Sequence, residues 1–318
     1  MSGFGLNERA WALADRMIRR APELQLGVQT LAGGARVIDA GINAPGGLEA
    51  GLILARLCMG GLGRVRFAPI TIAGESWPGV QVWTDHPAIA CMASQYAGWA
   101  ITPEGYFAMG SGPLRAKARV EKELFAKLGY AEDATRGVLV LEGRTRPTDD
   151  VATWVAGKAG VAADGLTFVI APTASLAGGV QIVARVIETG LHKMHTIGFD
   201  VNRVVSAMGT APLAPVAKND LRAIGRTNDC VLYGGQARYT IRADDDDLAA
   251  LAERLPASAS SDYGTPFYEI FKRYNNDFYK IDPMLFSAAE VWLTSAATGR
   301  TFHAGRLNAD VLRASLFG

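Results

Sequence analysis

The sequence predicts a mixed α/β fold arranged as two α/β domains with a cleft between them, a duplication being one origin for the pair. Short apolar runs of strand length, such as Gly137 to Leu141 and Leu166 to Ile170, alternate with segments whose apolar residues recur every three or four positions. The 318 residues are enough for one large domain or two ordinary ones. AMGSGPL (108–114) is echoed by AMGTAPL (207–213), each after a Gly-started helix with an Ala-Arg pair, Ala55-Arg56 and Ala184-Arg185. That common order is expected of an old duplication, with chance similarity among small residues as its rival. The division is placed at an N-terminal domain over 1–165 and a C-terminal domain over 166–318, the boundary approximate and either domain free to be discontinuous.

Taken in order, Asn7 is expected to cap an amphipathic helix carrying Trp11, Ala14, Met17 and Ile18, which ends before Pro22. Gly27 to Ile42 reads as two strands joined at Ala32-Gly33-Gly34, and NAPGG (43–47) opens a helix to about Gly60. Strands follow near Val65–Ile72 and Val80–Trp83, then a small-residue helix from Pro87 and a hairpin over AGWAITPEGYFAMG. GSGPLRA (110–116) leads into a charged helix ending near Gly129. Strand 137–141, helix 148–159 and strand 166–170 come next. Beyond a strand at 201–208, Val231–Tyr233 and Ala237–Arg242 are expected to pair around Gly234-Gly235. The acidic run Asp244 to Asp247 suits a helix start, where negative charge favours the dipole. The tail reads as a helix from Thr265, a hairpin turning at Thr298-Gly299 and a last helix from Asn308.

Composition narrows the class. The formal net charge is +1, which points to neither a nucleic acid nor a membrane surface as partner. No apolar run approaches the roughly 20 residues of a membrane span. MSGFGLNERAW has neither the apolar core nor the cleavage site of a signal peptide. Cys58, Cys91 and Cys230 are far apart and read as reduced thiols, so the expectation is a cytoplasmic enzyme. No GxGxxG fingerprint, Walker loop or GxSxG elbow is present.

The stretch Ala171–Gly198 organises the rest. Strand 166–170 feeds through Pro172, Thr173 and Ser175 into a helix whose N-terminus would lie at a strand end, where ligands often sit. Leu176, Val180, Val183, Ile187, Leu191 and Met194 share one face; Gln181, Arg185, Glu188, His192 and His195 share the other. Arg185 and Glu188, three apart, are neighbours on that polar face. The plain alternative is a solvated face with one weak ion pair. Yet only Lys193 adds charge here, too little dressing for simple exposure. A carboxylate beside a guanidinium in a cleft suits a general base kept ionised by its neighbour. Glu188, His192 and His195 also have a spacing able to seat a divalent ion, without a fourth ligand or supporting motif, and the reading keeps no metal.

Two further stretches have the chemistry of a binding site. Ser111, Gly112 and Arg115 of GSGPLRA form a nest suited to phosphate or carboxylate, although tight turns use the same residues. Tyr263, Phe267, Tyr268, Phe278 and Tyr279 could wall a pocket for a flat heteroaromatic ring, or pack as an aromatic core.

Along essentially its whole length the chain resembles methenyltetrahydromethanopterin cyclohydrolase. The resemblance is carried by the Gly-rich stretch before Glu49, SQYAGWAI (94–101), YFAMGSGPLRA (106–116) and APTASLAGGVQIVARVIET (171–189). It continues through APLAPVAKNDL (211–221), TNDCVLYGG (227–235), YGTPFYEIF (263–271) and DFYKIDPMLF (277–286). It implies an enzyme of one-carbon metabolism, as in methanogenic archaea and formaldehyde-oxidising bacteria. It also implies a two-domain α/β protein with substrate in the cleft, a homotrimer, and no metal or redox cofactor. The family's catalytic arginine and glutamate fall on the R-x-x-E step, hence on Arg185 and Glu188. Substrate contacts are expected at Ser94, Gln95, Tyr96, Ser111, Gly112 and Arg115, and at Thr173, Ser175, Gln181, Tyr263, Phe267 and Asp282. Archaeal relatives commonly have lysine where this chain has Tyr96, so no role of that lysine carries over, and the change favours a bacterial type.

The implied reaction fits these residues. The methenyl bridge is a cationic amidinium, and its central carbon needs an activated water. Glu188 is expected to take a proton from that water, with Arg185 orienting the carboxylate and tuning its acidity. The rival from another class is a non-catalytic pterin-coenzyme carrier or assembly subunit, against which the presence of both Arg185 and Glu188 argues.

Overall fold

The computed structural model describes residues 4–317, apart from the side chain of Tyr279. The chain divides into two compact units, each built from two segments: Met1–Gly63 with Ile89–Gln181, and Arg64–Ala88 with Ile182–Gly318. This differs from the division expected at 165/166. Strand Leu166–Ala171 lies in the first unit because it pairs there on both sides, and a hairpin from the N-terminal half pairs in the second.

The first unit is built on a six-stranded sheet in the order β1 (Gly27–Thr30), β2 (Arg36–Asp39), β8 (Leu166–Ala171), β7 (Gly137–Glu142), β6 (Ala108–Ser111), β5 (Trp99–Ile101). β2, β8 and β7 are parallel, with Ile38 opposite Val169 and Leu139 opposite Phe168. Their near-continuous apolar sequences, LTFVIA above all, fit strands covered on both faces. Alternate residues serve the two faces. Ile38, Val140 and Val169 meet Ala10, Met17 and Leu54 of helices α1 (Leu6–Arg19) and α2 (Leu48–Cys58). Leu139, Leu141 and Phe168 meet Val151 and Val155 of α5 (Asp149–Ala159). The helix expected over 148–159 is present, and Thr148 caps it by accepting the Val151 N–H.

Asn7 is not the cap of α1. It lies inside the helix, fully buried, where its amide donates to the Pro113 carbonyl at 2.9 Å and accepts the Val138 N–H at 3.1 Å. The amide oxygen braces α1 against the start of β7 and its NH2 group against Pro113, and Gly5 takes the cap position. The charged helix expected before Gly129 is two short ones, α3 (Pro113–Ala118) and α4 (Lys122–Leu128), separated by Arg119 in the left-handed conformation.

The second unit holds a sheet in the order β12 (Thr301–Gly305), β11 (Glu290–Ser295), β10 (Gln236–Ile241), β9 (Val204–Pro212), β4 (Glu75–Thr84), β3 (Arg64–Ile72). Only β10 and β11 run parallel; the other ladders are antiparallel. Burial alternates along β10 and β11, so one face is packed. Helices α7 (Val186–Thr196), α8 (Asp220–Leu232) and α9 (Asp245–Arg254) cover it. The other face is polar and aromatic, with a shallow bowl of about 530 Å³ lined by Arg66, Trp83, Ser206, Met208 and Arg238. There the Arg238 guanidinium lies 3.9 Å from the Trp292 ring centre.

Val231 and Leu232 do not form the strand expected of them. They are the last turn of α8, which Asn219 caps by accepting the Arg222 N–H at 3.0 Å. The echoed AMG segments lie on β6 and β9, whose local pairing matches: β6 is antiparallel to β5 and β7, β9 to β4 and β10, and the next strand in each sheet pairs in parallel, β7 with β8 and β10 with β11. Among the described residues no helix is long and apolar enough to cross a membrane.

Candidate functional site

The three parallel strands of the first unit end together, Asp39 opposite Ile170 and Glu142 opposite Ala171. Carboxyl ends of parallel strands are the usual ligand edge of α/β sheets. The Asp39 carboxylate accepts the N–H groups of Gly41, Ile42, Asn43 and Ala44 at 3.0, 2.7, 2.9 and 3.3 Å. Burial works against its charge, but these four donors hold its carboxyl below the usual range. The Thr173 hydroxyl donates to the Glu142 carboxylate, and Ser175 begins α6 (Leu176–Val183), accepting the Gly178 N–H at 3.0 Å and donating to the Pro172 carbonyl at 2.7 Å.

Three other expected residues gather around Cys58, at the end of α2. The Ser94 hydroxyl donates to the Cys58 carbonyl at 2.6 Å. The Cys58 thiol lies 4.0 Å from the Ser111 hydroxyl and donates to Gln181 Oε1 at 3.7 Å. From spacing alone Cys58 reads as an ordinary reduced thiol and Glu142 has no role. The one signal for Glu142 was its place at a strand's carboxyl end.

Gln95 and Tyr96 close a π-helix, Ala88–Gln95, in which the Tyr96 N–H donates to the Cys91 carbonyl at 2.8 Å. Arg115 is wholly buried beneath it. Its guanidinium donates to the carbonyls of Met92, Ala93 and Tyr96 at 2.7, 3.4 and 2.8 Å and pairs with Glu121 at 3.3 Å. So placed, the arginine closes the carbonyl end of the π-helix, which the open anion nest read from GSGPLRA did not anticipate. Gly112, with φ of +93°, supplies the turn before it.

The expected long helix 176–196 is two. α6 ends at Val183, Ala184 and Arg185 form a turn, and α7 starts at Val186. The Arg185 N–H donates to the Ile182 carbonyl at 3.0 Å, a tighter turn than the α-helix makes. Arg185 is therefore the N-cap residue of α7 and Glu188 stands in its first turn. Free N–H groups at a helix start favour a carboxylate there. The N-terminal part of the polar face is not solvated: Arg185 is 8% and Glu188 5% exposed, while His192 and His195 are half-buried. A buried charge needs partners or chemistry, so this pair stands out.

Phe267 stacks among Phe271, Phe278 and Phe286 with ring centres 5.7–5.9 Å away and no exposed surface, the packing of a core cluster. Tyr263 packs on Tyr233 at 5.0 Å, and Tyr268 lies under the cations of Arg222 and Lys272. The Tyr279 side chain falls outside the described residues. Asp282 accepts the Ser260 hydroxyl at 2.7 Å and the Met284 N–H at 2.9 Å; burial opposes its charge, and these donors hold its carboxyl below the usual range. Among the described residues no group of three His, Cys, Asp or Glu is placed to hold a metal ion, the Glu188–His192–His195 set included.

The class is that of the cyclohydrolases: the family model described as "Cyclohydrolase (MCH)" matches residues 5–316. The methenyltetrahydromethanopterin cyclohydrolase of Methylobacterium organophilum is 48% identical over 315 residues, 98% of this chain and 97% of the relative. That of Methylobacillus flagellatus is 47% identical over 308 residues, 96% and 94% of the two chains. The archaeal enzyme of Methanocaldococcus jannaschii is 44% identical over 315 residues, 98% of each. The chain belongs to the methenyltetrahydromethanopterin cyclohydrolase family, a family of hydrolases.

Proposed function

We propose that this protein hydrolyses the methenyl bridge of 5,10-methenyltetrahydromethanopterin to the 5-formyl form, reversibly, in one-carbon metabolism and formaldehyde oxidation. The names of relatives at 44–48% identity over nearly the whole chain support the reaction. The observation that carries the residue roles is the break at Ala184-Arg185, which puts Arg185 and Glu188 together at the start of α7, both buried.

Glu188 takes a proton as water adds to the amidinium carbon, so cation and water become a neutral carbinol and a protonated carboxyl. The carboxyl returns that proton to the arylamine nitrogen, whose bond to carbon breaks as the hydroxyl of the carbinol becomes the formyl oxygen. The hydroxyl proton leaves through Glu188, and one proton is released overall. Arg185 orients the carboxylate, and the pair is near neutral, so it does not repel the cationic substrate. The substrate supplies its own positive charge, and on this reading the reaction uses no metal or redox cofactor. The hydroxyls and amides around Cys58 and at the strand ends, Ser94, Ser111, Gln181 and Thr173, serve as pterin contacts. The protein acts in the cytoplasm as a homotrimer, as the family resemblance implies; sedimentation at micromolar concentration tests the trimer.

The test of the reaction is to mix the protein with the methenyl pterin in chelator and follow the methenyl absorbance. Loss of the chromophore with formation of the 5-formyl product is expected. Binding without loss would contradict the reading.

A further inference from the structure

The first turn of α7, which presents Glu188, is seated on the second sheet at an unusually close approach. Gly209 of β9 lies beneath it, where a Cβ would stand 2.8 Å from Ile187 Cγ2 and 3.0 Å from Val186 Cγ1. Gly235 is a second such point, its Cβ position 3.1 Å from Val186 Cγ2. Between these contacts Tyr239 rises from β10, only 1% exposed, and its hydroxyl donates to the Ile187 carbonyl at 2.9 Å. That carbonyl belongs to the residue before Glu188, and a helical carbonyl has a second lone pair free for such a donor. Gly190, one turn from Ile187, completes the seat, because a Cβ there would overlap the Tyr239 hydroxyl. Glycine lowers helix stability, yet here it lets the phenol pass alongside the helix to reach the carbonyl.

We infer that Tyr239 is a positioning residue for hydrolysis: its bond to the Ile187 carbonyl fixes the rotation and height of α7 and so the aim of the Glu188 carboxylate. The inference rests on the reading of Glu188 as the base. Small-residue close contact alone would leave the helix free to slide along the sheet; a directional hydrogen bond at one carbonyl does not. Misplacement of a reacting group by about 1 Å can cost on the order of a hundredfold in rate, so a partial loosening is expected to cost less.

The test is a kinetic double-mutant cycle of Tyr239→Phe with Glu188→Gln, using the methenyl pterin and the intact protein. Tyr239→Phe keeps the ring and removes only the donor. The expected result is a kcat about tenfold lower with KM within about twofold, a melting temperature near that of the wild type, and no further loss when added to Glu188→Gln. If Tyr239→Phe turns over like the wild type while Glu188→Gln is slow, the inference is overturned and the role of Glu188 stands. An equal loss in both backgrounds also overturns it, since Tyr239 would then act apart from Glu188. Should Glu188→Gln itself match the wild type, the base reading fails and takes this inference with it. Gly209→Ala offers a second probe. Pushing α7 off the sheet should lower kcat in the wild-type background and not in Glu188→Gln, and equal loss in both would count against the inference.

Discussion

Lys193 of α7 donates to the Pro256 carbonyl oxygen at 2.7 Å, tying the helix that carries Glu188 to the turn at Ala257–Ala259. A second bond runs to the Met284 carbonyl. Burial pushes the ammonium down to about 7, opposed by the Asp282 carboxylate and reinforced by Arg254. In the unfolded chain the group titrates at about 10.4. Across the window between these values the unfolded chain holds a proton that the native state has released, so stability rises with pH. Thermal melts of the wild type are expected to move up between pH 7 and 9. In Lys193→Met that rise should flatten, and the melting temperature at pH 9 should fall below the wild type, because two buried carbonyls lose their donor.

Asp229 acts in the opposite sense. It is fully buried in α8, and burial pushes its carboxyl up to about 7 against the pull of the Ser315 hydroxyl and the Phe267 N–H, the latter at 2.8 Å. Its folded value lies above the unfolded one of about 3.9, so its contribution is complete at low pH and lost as pH rises through about 7. Asp229→Asn keeps an acceptor for the Phe267 N–H. Its melting temperature should be flatter than the wild type's between pH 4.5 and 7.5, measured by circular dichroism.

The Asp39 carboxylate holds four consecutive N–H groups and thereby shapes the glycine-rich turn before α2. Asp39→Ala is expected to destabilise by about 3 kcal/mol, since charge-assisted bonds are lost and partly buried donors are stranded. The folded carboxyl titrates below the usual value, so this stability is present above about pH 4 and lost as pH falls through the lower folded value. Urea denaturation at pH 7 and pH 3 reads both effects: the difference between wild type and Asp39→Ala should shrink at the lower pH.

Much of the fold is legible in the sequence where local pattern and packing agree. Strands β7 and β8 are short apolar runs with turns at each end, and α5 starts at its Thr148 cap. Other features depend on contacts far along the chain. β3 and β4 are readable as two strands, but their pairing with each other and that of β4 with β9, which place them in the second unit, are not. Val231 and Leu232 look like strand because a short apolar run has no period of its own, and the Asn219 cap that marks them as helix lies a dozen positions earlier. The break at Ala184-Arg185 is hidden for the opposite reason, since Val183, Val186 and Ile187 carry the apolar rhythm straight through it. The R-x-x-E step was visible by spacing. That Arg185 and Glu188 are buried, and that Tyr239 and two glycines seat α7 against the sheet, depends on the second sheet being in place.

The most direct measurement of the central claim is single-turnover loss of the methenyl absorbance with Glu188→Gln beside the wild type, in chelator and at saturating protein. A positioned general base contributes about a hundredfold or more, so the account predicts that Glu188→Gln binds the pterin and turns it over at least about a hundredfold more slowly. Turnover by Glu188→Gln within a few-fold of the wild type would contradict it and place the base elsewhere.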